Sequence, residues 1–447
     1  MPVLSIRPVQ PEIAETPVCP ATVPALAGIR SSATVDPTLC LAPGLAPPCD
    51  ELLWRIETAD GGCPSDPGFV RRYWHRHPFT VTLRLVQYQP GSVAGEIMDE
   101  GTIGTRLPLP AFLTAVDGLA MRFVRDVQHG QGRHPSLVLP PRSVRGIAGW
   151  AGAATAKWHA RTMGEWWSVG MATGGLDRVL FGLGDITWFH PRTGQAYLAD
   201  PFPLPGSRQI LAEEMPMAGG TGRIVSATEV DGQLAVTGTV IEDEDHHSFP
   251  CTVRDGGITY CVPETTTLGG TRIFQLDESG ALRPVADVCA ESRLADPTLF
   301  RWDKRYWLAC TDLDIGMHDN LCLFHAEAME GPWHRHPKWP VKIDIRGARS
   351  AGSPFVIDGR LYRPAQDCAA TYGAAIAIHE VMTLTETDFR ELPVRTLRPD
   401  LNGPFPHGMH TLTPDGKRFW VDGKRFVFTP GALVTKVAAR LSRSAAV

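Results

Sequence analysis

The ten cysteines of this 447-residue chain form no C-x-x-C pair, so the ligand spacing of a zinc site is missing. Several instead sit inside apolar runs, such as Cys261 in Ile258–Val262 and Cys310 after Tyr306–Ala309, where a free thiol packs as a small hydrophobe. No run of about 20 apolar residues is present to span a membrane. Met1–Pro17 lacks a basic stretch followed by an apolar core, so it does not read as a signal peptide, and the cytoplasm is the expected compartment. Lysine is sparse and the 43 Lys and Arg are scattered, with a net charge of −5. No basic stripe points to nucleic acid. What is plentiful is glycine (44) and proline (39), spread between many short apolar runs, which favours a turn-dense, all-β chain.

The length suits two or three domains. Residues 1–50, rich in Pro, Ala and Thr, read as a disordered leader. A small α+β module over 51–130 follows. Its alternating segment Phe79–Tyr88 predicts a half-buried strand with Gly95–Thr105 as hairpin partner. Leu109–Val127 brings Phe112, Val116, Leu119, Met121, Phe123 and Val124 near helical spacing. Residues 131–164 read as a linker and a helix at Ile147–Arg161, and 431–447 as a tail.

Over 165–430 the chain repeats. Each unit has a short opening segment, an apolar strand, a tight turn, and a second apolar strand ending in a polar residue. The units open at Ala199-Asp200-Pro201, His246-His247-Ser248, Asp296-Pro297-Thr298, Ser350-Ala351-Gly352 and His407-Gly408-Met409. Their second strands lead into Glu213, Glu264, Thr311, Gln366-Asp367 and Asp422. Asp-Gly at 255, 358 and 415 is a hairpin signal, because both central residues of a type I′ turn need positive φ. A period near 50 residues suits a four-stranded propeller blade, so the expected fold is all-β, a five-bladed β-propeller preceded by the α+β module.

In a propeller the inner strands line the axis, and the residues opening them gather at one mouth. These include Asp200, His246, Ser248, Asp296, Arg349 and His410, with Glu213, Glu264 and Asp367 nearby. Paired carboxyl groups in a concave site are what glycoside cleavage uses, one as acid and one as base or nucleophile. Asp200, Asp296 and Glu264 are the candidate acid/base set, and His246, Arg349, Arg363, Asp367 and His410 the candidate sugar-binding set. Each Asp before Pro also fits a turn-capping role. Trp166-Trp167 reads as core or closure of the propeller rather than a sugar platform. No metal site and no cofactor is expected.

The segments GDITWFHPRTGQAYLADPF (184–202), HHSFPCTVRDGGITYCVPET (246–265), ADPTLFRWDKRYWLACT (295–311), EGPWHRHPKWPVKID (330–344), GRLYRPAQDCAATYG (359–373) and GMHTLTPDGKRFWVDG (408–423) resemble the amino-terminal propeller of plant glucosamine inositolphosphorylceramide transferases and bacterial relatives. The architecture is also similar to five-bladed furanosidase-type glycoside hydrolases. Residues 51–127 resemble the segment that precedes this propeller in bacterial proteins beginning with a formyltransferase-like domain. Where the relatives usually carry Arg-Pro-Ala-Gly, this chain has Arg349-Ser350-Ala351-Gly352. The resemblance implies a carbohydrate or glycolipid ligand and a role in making or tailoring a surface glycan, by glycosyl transfer or hydrolysis. The catalytic domains of both groups of relatives are not expected in this chain. A non-catalytic glycan-binding propeller assisting a partner glycosyltransferase, or a repurposed biosynthetic enzyme acting on a small molecule, stands beside the catalytic reading.

Overall fold

The computed structural model describes residues 38–40, 53–60, 62–64, 68–74, 80–88, 95–105 and 109–128, and then 163–428 apart from 190–195, 218–219, 266, 268 and 278–279. The chain divides into two compact units: Met1–Gly149 with Ile343–Ile345, and the remainder. Among the described residues no helix is long and apolar enough to cross a membrane.

The first unit is a four-stranded sheet with a short helix, Phe69–Tyr73, and a long one. Its strands run in the order Thr38–Cys40, Leu53–Thr58, Thr80–Tyr88, Gly95–Gly104. The first pair is parallel, which places a strand inside the segment expected to be a leader; the other pairs are antiparallel. Period-two burial in Thr80–Tyr88 sends Val81, Leu83 and Leu85 to the core face. The helix Leu109–Gln128 answers with Phe112, Val116, Leu119 and Phe123, spaced four, three and four apart and all fully buried. Met121 falls off that stripe and is exposed, and the Val124 side chain lies outside the described residues. The helix expected at Ile147–Arg161 lies outside them as well.

The second unit is the propeller. Sheets I to IV each follow chain order outward, opening on Ala196–Pro203, His247–Asp255, Leu294–Trp302 and Phe355–Ile357 and moving to Gln209–Pro216, Ile258–Thr265, Arg305–Asp312 and Arg360–Asp367. Sheet V is composite. Leu412–Asp415 and Arg418–Phe428 pair onward to Met163–Thr173 and Ile186–Trp188, so the two ends of the unit share one sheet. The hairpin turns follow the sequence signal in sheets III and IV, whereas in sheet V, as in sheet II, the turn is shifted by one residue, since Asp415 still pairs with Arg418. Asp358-Gly359 has φ of 49° and 76°, and Asp303-Lys304 has 46° and 65°, both pairs in the region a type I′ turn requires. In sheet II the two central residues are Gly256-Gly257 rather than Asp255-Gly256, because Asp255 still pairs with Ile258.

Burial falls from the axis outward. The opening strands of sheets II and III are buried on both faces over most of their length, whereas the outermost strands Gln233–Ile241 and Phe389–Leu397 are exposed or half-buried over most of theirs. Apolar side chains fill the spaces between sheets. Cys251, Cys261, Cys289, Cys310, Cys322 and Cys368 are buried thiols outside any disulfide, and Cys251, Cys289, Cys310 and Cys322 pack in one cluster with Phe249, Leu299 and Phe324. Trp420 of sheet V packs with Val169 of the same sheet and with Leu198, Ile210, Val225 and Leu234 of sheet I. It therefore joins the closing sheet to the first one. Trp420→Ala is expected to cost about 3–5 kcal/mol in chemical denaturation, as large aromatic truncations do in packed cores. Val394→Ala on an outer strand, where the side chain is 44% exposed, should stay within about 0.5 kcal/mol. Equal effects at the two positions would show that closure contributes nothing special.

Candidate functional site

The site grows out of a repeated irregularity in the inner strands. In sheet I the register runs Ala199↔Glu213 and then Phe202↔Leu211, so two residues face one. The same bulge falls between Ser248↔Glu264 and Cys251↔Val262, and between Ala295↔Thr311 and Thr298↔Ala309. The first extra residues are Asp200, Phe249 and Asp296, with φ of 50°, 44° and 48°. Aspartate tolerates this left-handed backbone better than most residues do. Phenylalanine does not; Phe249 is held there by packing edge-on against Phe202, with ring centroids 4.8 Å apart.

A bulge removes a backbone N–H from the ladder, and a buried N–H needs another acceptor. Here the acceptor comes from a neighbouring sheet. Asp200 N donates to Asp422 Oδ2 at 3.2 Å, Phe249 N to Asp200 Oδ2 at 3.3 Å, and Asp296 N to Glu264 Oε2 at 2.8 Å. Further polar contacts complete the circuit. Thr411 Oγ1 donates to Asp200 Oδ1 at 2.6 Å, and Arg349 grips Asp296 through Nε at 2.5 Å and Nη2 at 3.2 Å. Gln366 Nε2 donates to Asp296 Oδ2 at 2.7 Å, and Leu412 N to Ala351 O at 2.8 Å. The five sheets are thus linked in the order I, II, III, IV, V and back to I.

Glu213, Glu264 and Thr311 share one register position on the second strands, and Gln366 and Asp422 take the corresponding places in sheets IV and V, donating their N–H groups to Arg349 O and Thr411 O. Asp422 is fully buried and accepts from the amides of Asp200, His410 and Thr411. His410 Nδ1 lies 2.6 Å from Asp422 Oδ2 and 3.5 Å from Asp200 Oδ1, and its ring stacks on Trp167 at 3.8 Å. Tyr372 packs edge-on to His410 and beneath the Arg349 guanidinium. Lys424, fully buried, bonds Glu165 Oε1 and Tyr372 O and lies over the Trp167 ring.

Of the residues singled out by sequence, Asp200, Glu264, Asp296, Arg349 and His410 come together in this ring. His246 stands beside it, 3.6 Å from Glu213. Arg363 is committed elsewhere. It pairs with Glu391 through Nε at 2.8 Å and Nη2 at 2.6 Å and donates to the carbonyls of Gly347 and Ala348, in a buried cluster with Lys342 and His379. Asp367 Oδ1 accepts from Ala369 N in a turn, and its neighbour Gln366 holds the ring position. Asp422, Gln366, Thr411, Tyr372, Lys424 and Trp167 were not anticipated as site residues. In the sequence Asp422 and Gln366 follow the apolar run of a second strand as Glu213 and Glu264 do, and that shared position was the signal available. Asp200, His410 and Asp422 each offer one ligand atom within 4.8 Å of the others, close enough for a three-ligand metal site. In this arrangement the same atoms bond one another and the bulge amides.

Crowding separates the protonation states. Burial, opposed by His410 and reinforced by Asp422 and Asp296, pushes Asp200 up to about 6. Burial and then the charge of Asp296 push Glu264 up to about 8, against the pull of Arg349. Burial and then Asp200 hold Glu213 well above the usual carboxylate range. Burial alone would lower His410, but Asp422 and Asp200 outweigh it and raise its pKa to about 9. For Asp422 burial is likewise outweighed, by His410 and the amides, and its pKa is lowered. The raised groups Asp200, Glu264 and His410 all bind protons more tightly folded than unfolded, so each loses stability as pH rises through its folded value. Below the unfolded values these contributions are fully present. Melting temperature is therefore expected to fall from pH 4.5, the ordinary value of Glu264, to about pH 9, the folded value of His410. Glu264→Gln should flatten that fall; an unchanged slope would remove Glu264 from its cause.

Residues 196–401 match the family model described as glucosamine inositolphosphorylceramide transferase 1, N-terminal. The glucosamine inositolphosphorylceramide transferase 1 of Oryza sativa subsp. japonica is 27% identical over 162 residues, which are 35% of this chain and 22% of that protein. Its counterpart in Arabidopsis thaliana is 29% identical over 162 residues, 35% of this chain and 21% of that protein. The chain therefore spans about a fifth of each of these relatives. Solved structures similar to it include an α-L-arabinofuranosidase from Clostridium thermocellum, with a TM-score of 0.33 and 9% identity over 45% of this chain and 74% of that one. An exo-1,5-α-L-arabinanase from a bovine ruminal metagenomic library has a TM-score of 0.35 and 14% identity over 46% and 82%. The all-β propeller and the matched span 196–401 together bear out the resemblance of this chain to the amino-terminal domain of the glucosamine inositolphosphorylceramide transferases.

Proposed function

We propose that this chain is a carbohydrate-active protein of surface glycan or glycolipid assembly or tailoring, and that it holds a sugar at the ring of carboxyl groups on the axis of a five-bladed propeller. The observation that carries this is the ring itself. Five carboxyl groups, with Glu264 raised to about 8 and Glu213 held above the usual carboxylate range, converge with Arg349 and His410 from different sheets. A protonated Glu264 beside Asp296, which the Arg349 guanidinium grips, is the acid-and-carboxylate arrangement that glycosyl chemistry uses. The match to a domain of glucosamine inositolphosphorylceramide transferases supports the same substrate class.

A second reading, a non-catalytic glycan-binding propeller that assists a partner transferase, is favoured by one specific feature. Asp200, Asp296 and Asp422 have both carboxylate oxygens occupied by protein donors, which suits a framework better than a nucleophile.

A glycan array read beside a panel of p-nitrophenyl glycosides separates the two. For a catalyst, Glu264→Gln should cut turnover by at least about 10²-fold while glycan binding is little changed. For a binding module, no glycoside is cleaved and the same substitution weakens binding, because a sugar hydroxyl loses its partner. Neither binding nor cleavage by the wild type would overturn the carbohydrate reading.

A further inference from the structure

The ring has a rule and one exception to it. Asp422 of sheet V accepts from the bulge amide of sheet I, and Glu264 of sheet II from the bulge amide of sheet III. By the same rule Glu213 of sheet I would accept from Phe249 N of sheet II. That amide instead bonds Asp200 Oδ2, the first-strand carboxylate of sheet I. Glu213 is consequently released from the framework. Of the five ring carboxyl groups it alone accepts no hydrogen bond among the described residues, although the residue is only 8% exposed.

What stands next to Glu213 is equally specific. His246 Nδ1 accepts from Gly222 N at 2.8 Å, and since a backbone amide can only donate, the ring proton lies on Nε2. That Nε2–H sits 3.6 Å from Glu213 Oε1, too long for a good hydrogen bond. Both groups lean over Gly222. A Cβ there would come within 2.5 Å of Glu213 Oε1 and 2.8 Å of His246 Cε1, so the absence of a side chain makes room for the pair. The His246 side chain is 31% exposed, which opens this sector of the ring to solvent.

We propose that Glu213 and His246 form the ligand-contacting pair of the funnel, jointly hydrogen-bonding hydroxyl or ring oxygens of one sugar residue. The inference rests on the carbohydrate reading above and moves the point of contact away from Asp200 and Asp296, whose oxygens are already bonded. A buried carboxyl group without a partner is costly to keep unless something else completes it. Burial, with His247 adding to it, also keeps His246 below its ordinary pKa, so near neutrality the imidazole is an uncharged donor, while burial and then Asp200 hold the Glu213 carboxyl above the usual carboxylate range. An uncharged imidazole N–H beside an unpartnered carboxyl group suits the hydroxyl groups of a sugar, which both donate and accept.

The test titrates methyl glycosides of glucose, galactose, mannose and glucosamine into the wild type, Glu213→Gln, Glu213→Ala, His246→Phe and Asp422→Asn, by saturation-transfer NMR with parallel thermal melts. At least one glycoside is expected to bind the wild type. Glu213→Ala and His246→Phe should weaken it by about tenfold or more, as loss of a buried sugar contact does, and Glu213→Gln, which keeps a hydrogen-bonding group of the same shape, by less. Because Glu213 bonds nothing in the framework, its variants should melt within about 2 °C of the wild type, whereas Asp422→Asn should melt far lower. A glycoside that binds the wild type and the Glu213 and His246 variants alike would overturn the pair and leave the carbohydrate reading intact. So would Glu213→Gln melting as low as Asp422→Asn, since Glu213 would then be framework. A wild type that binds none of the glycosides would overturn both.

Discussion

A buried backbone N–H that a β-bulge has taken out of its ladder is the constraint on which the centre of this propeller depends. Three inner strands carry such a bulge, and each freed amide is met by a carboxyl group. Two consequences follow together. The sheets are held to one another by directed bonds in addition to apolar packing, and acidic side chains are drawn to the axis, where they would otherwise repel. Arg349, His410 and Lys424 are placed among them as counter-charges, each buried and each bonded to more than one group. A polar network of this kind stabilises only when it is nearly complete, because each missing partner leaves a desolvated group behind.

The same economy explains how structure and function can share the ring. Residues whose oxygens are filled by protein donors define the frame, and a residue the frame does not use keeps its hydrogen-bonding capacity. Chemical type does not distinguish the two classes; Asp200 and Glu213 are both carboxyl groups near one another on neighbouring strands. The difference lies in which amide each of them faces.

Much of the propeller was legible in the sequence because its signals are local. Asp-Gly turns, a period near fifty residues and alternating apolar strands each depend on a few neighbouring residues, and the turns at 303–304 and 358–359 have the backbone they imply. The helix over Leu109–Gln128 was legible for the same reason. The candidate site was legible where a residue opened an inner strand, as with Asp200, Asp296 and His410. It was illegible where strand position had to be known to one residue. Gln366 and Asp367 are adjacent, and pleating sends their side chains to opposite faces, so choosing the acid over the amide placed the contact on the wrong side. Arg363 belongs with Glu391 and Lys342, partners that strand pairing brings together and spacing does not reveal. Asp422 had the signal of a second-strand end, yet its several amide bonds come from residues as far away as Asp200.

Sheet V draws its strands from both ends of the propeller, and the site shares that origin. Lys424 bonds Glu165 across 259 positions of sequence, and Thr411 reaches Asp200 across 211. His410 stacks on Trp167, which is made some 240 residues earlier. On a ribosome the chain emerges from its amino end, so Met163–Thr173 must wait with an unpaired edge until Arg418–Phe428 appears. Sheets I to IV can form in order during that interval, but the His410–Asp422–Asp200 cluster cannot. That cluster, with the links it makes from sheet V to sheet I, is thus completed in a single late step of biosynthesis, when Arg418–Phe428 pairs with Met163–Thr173.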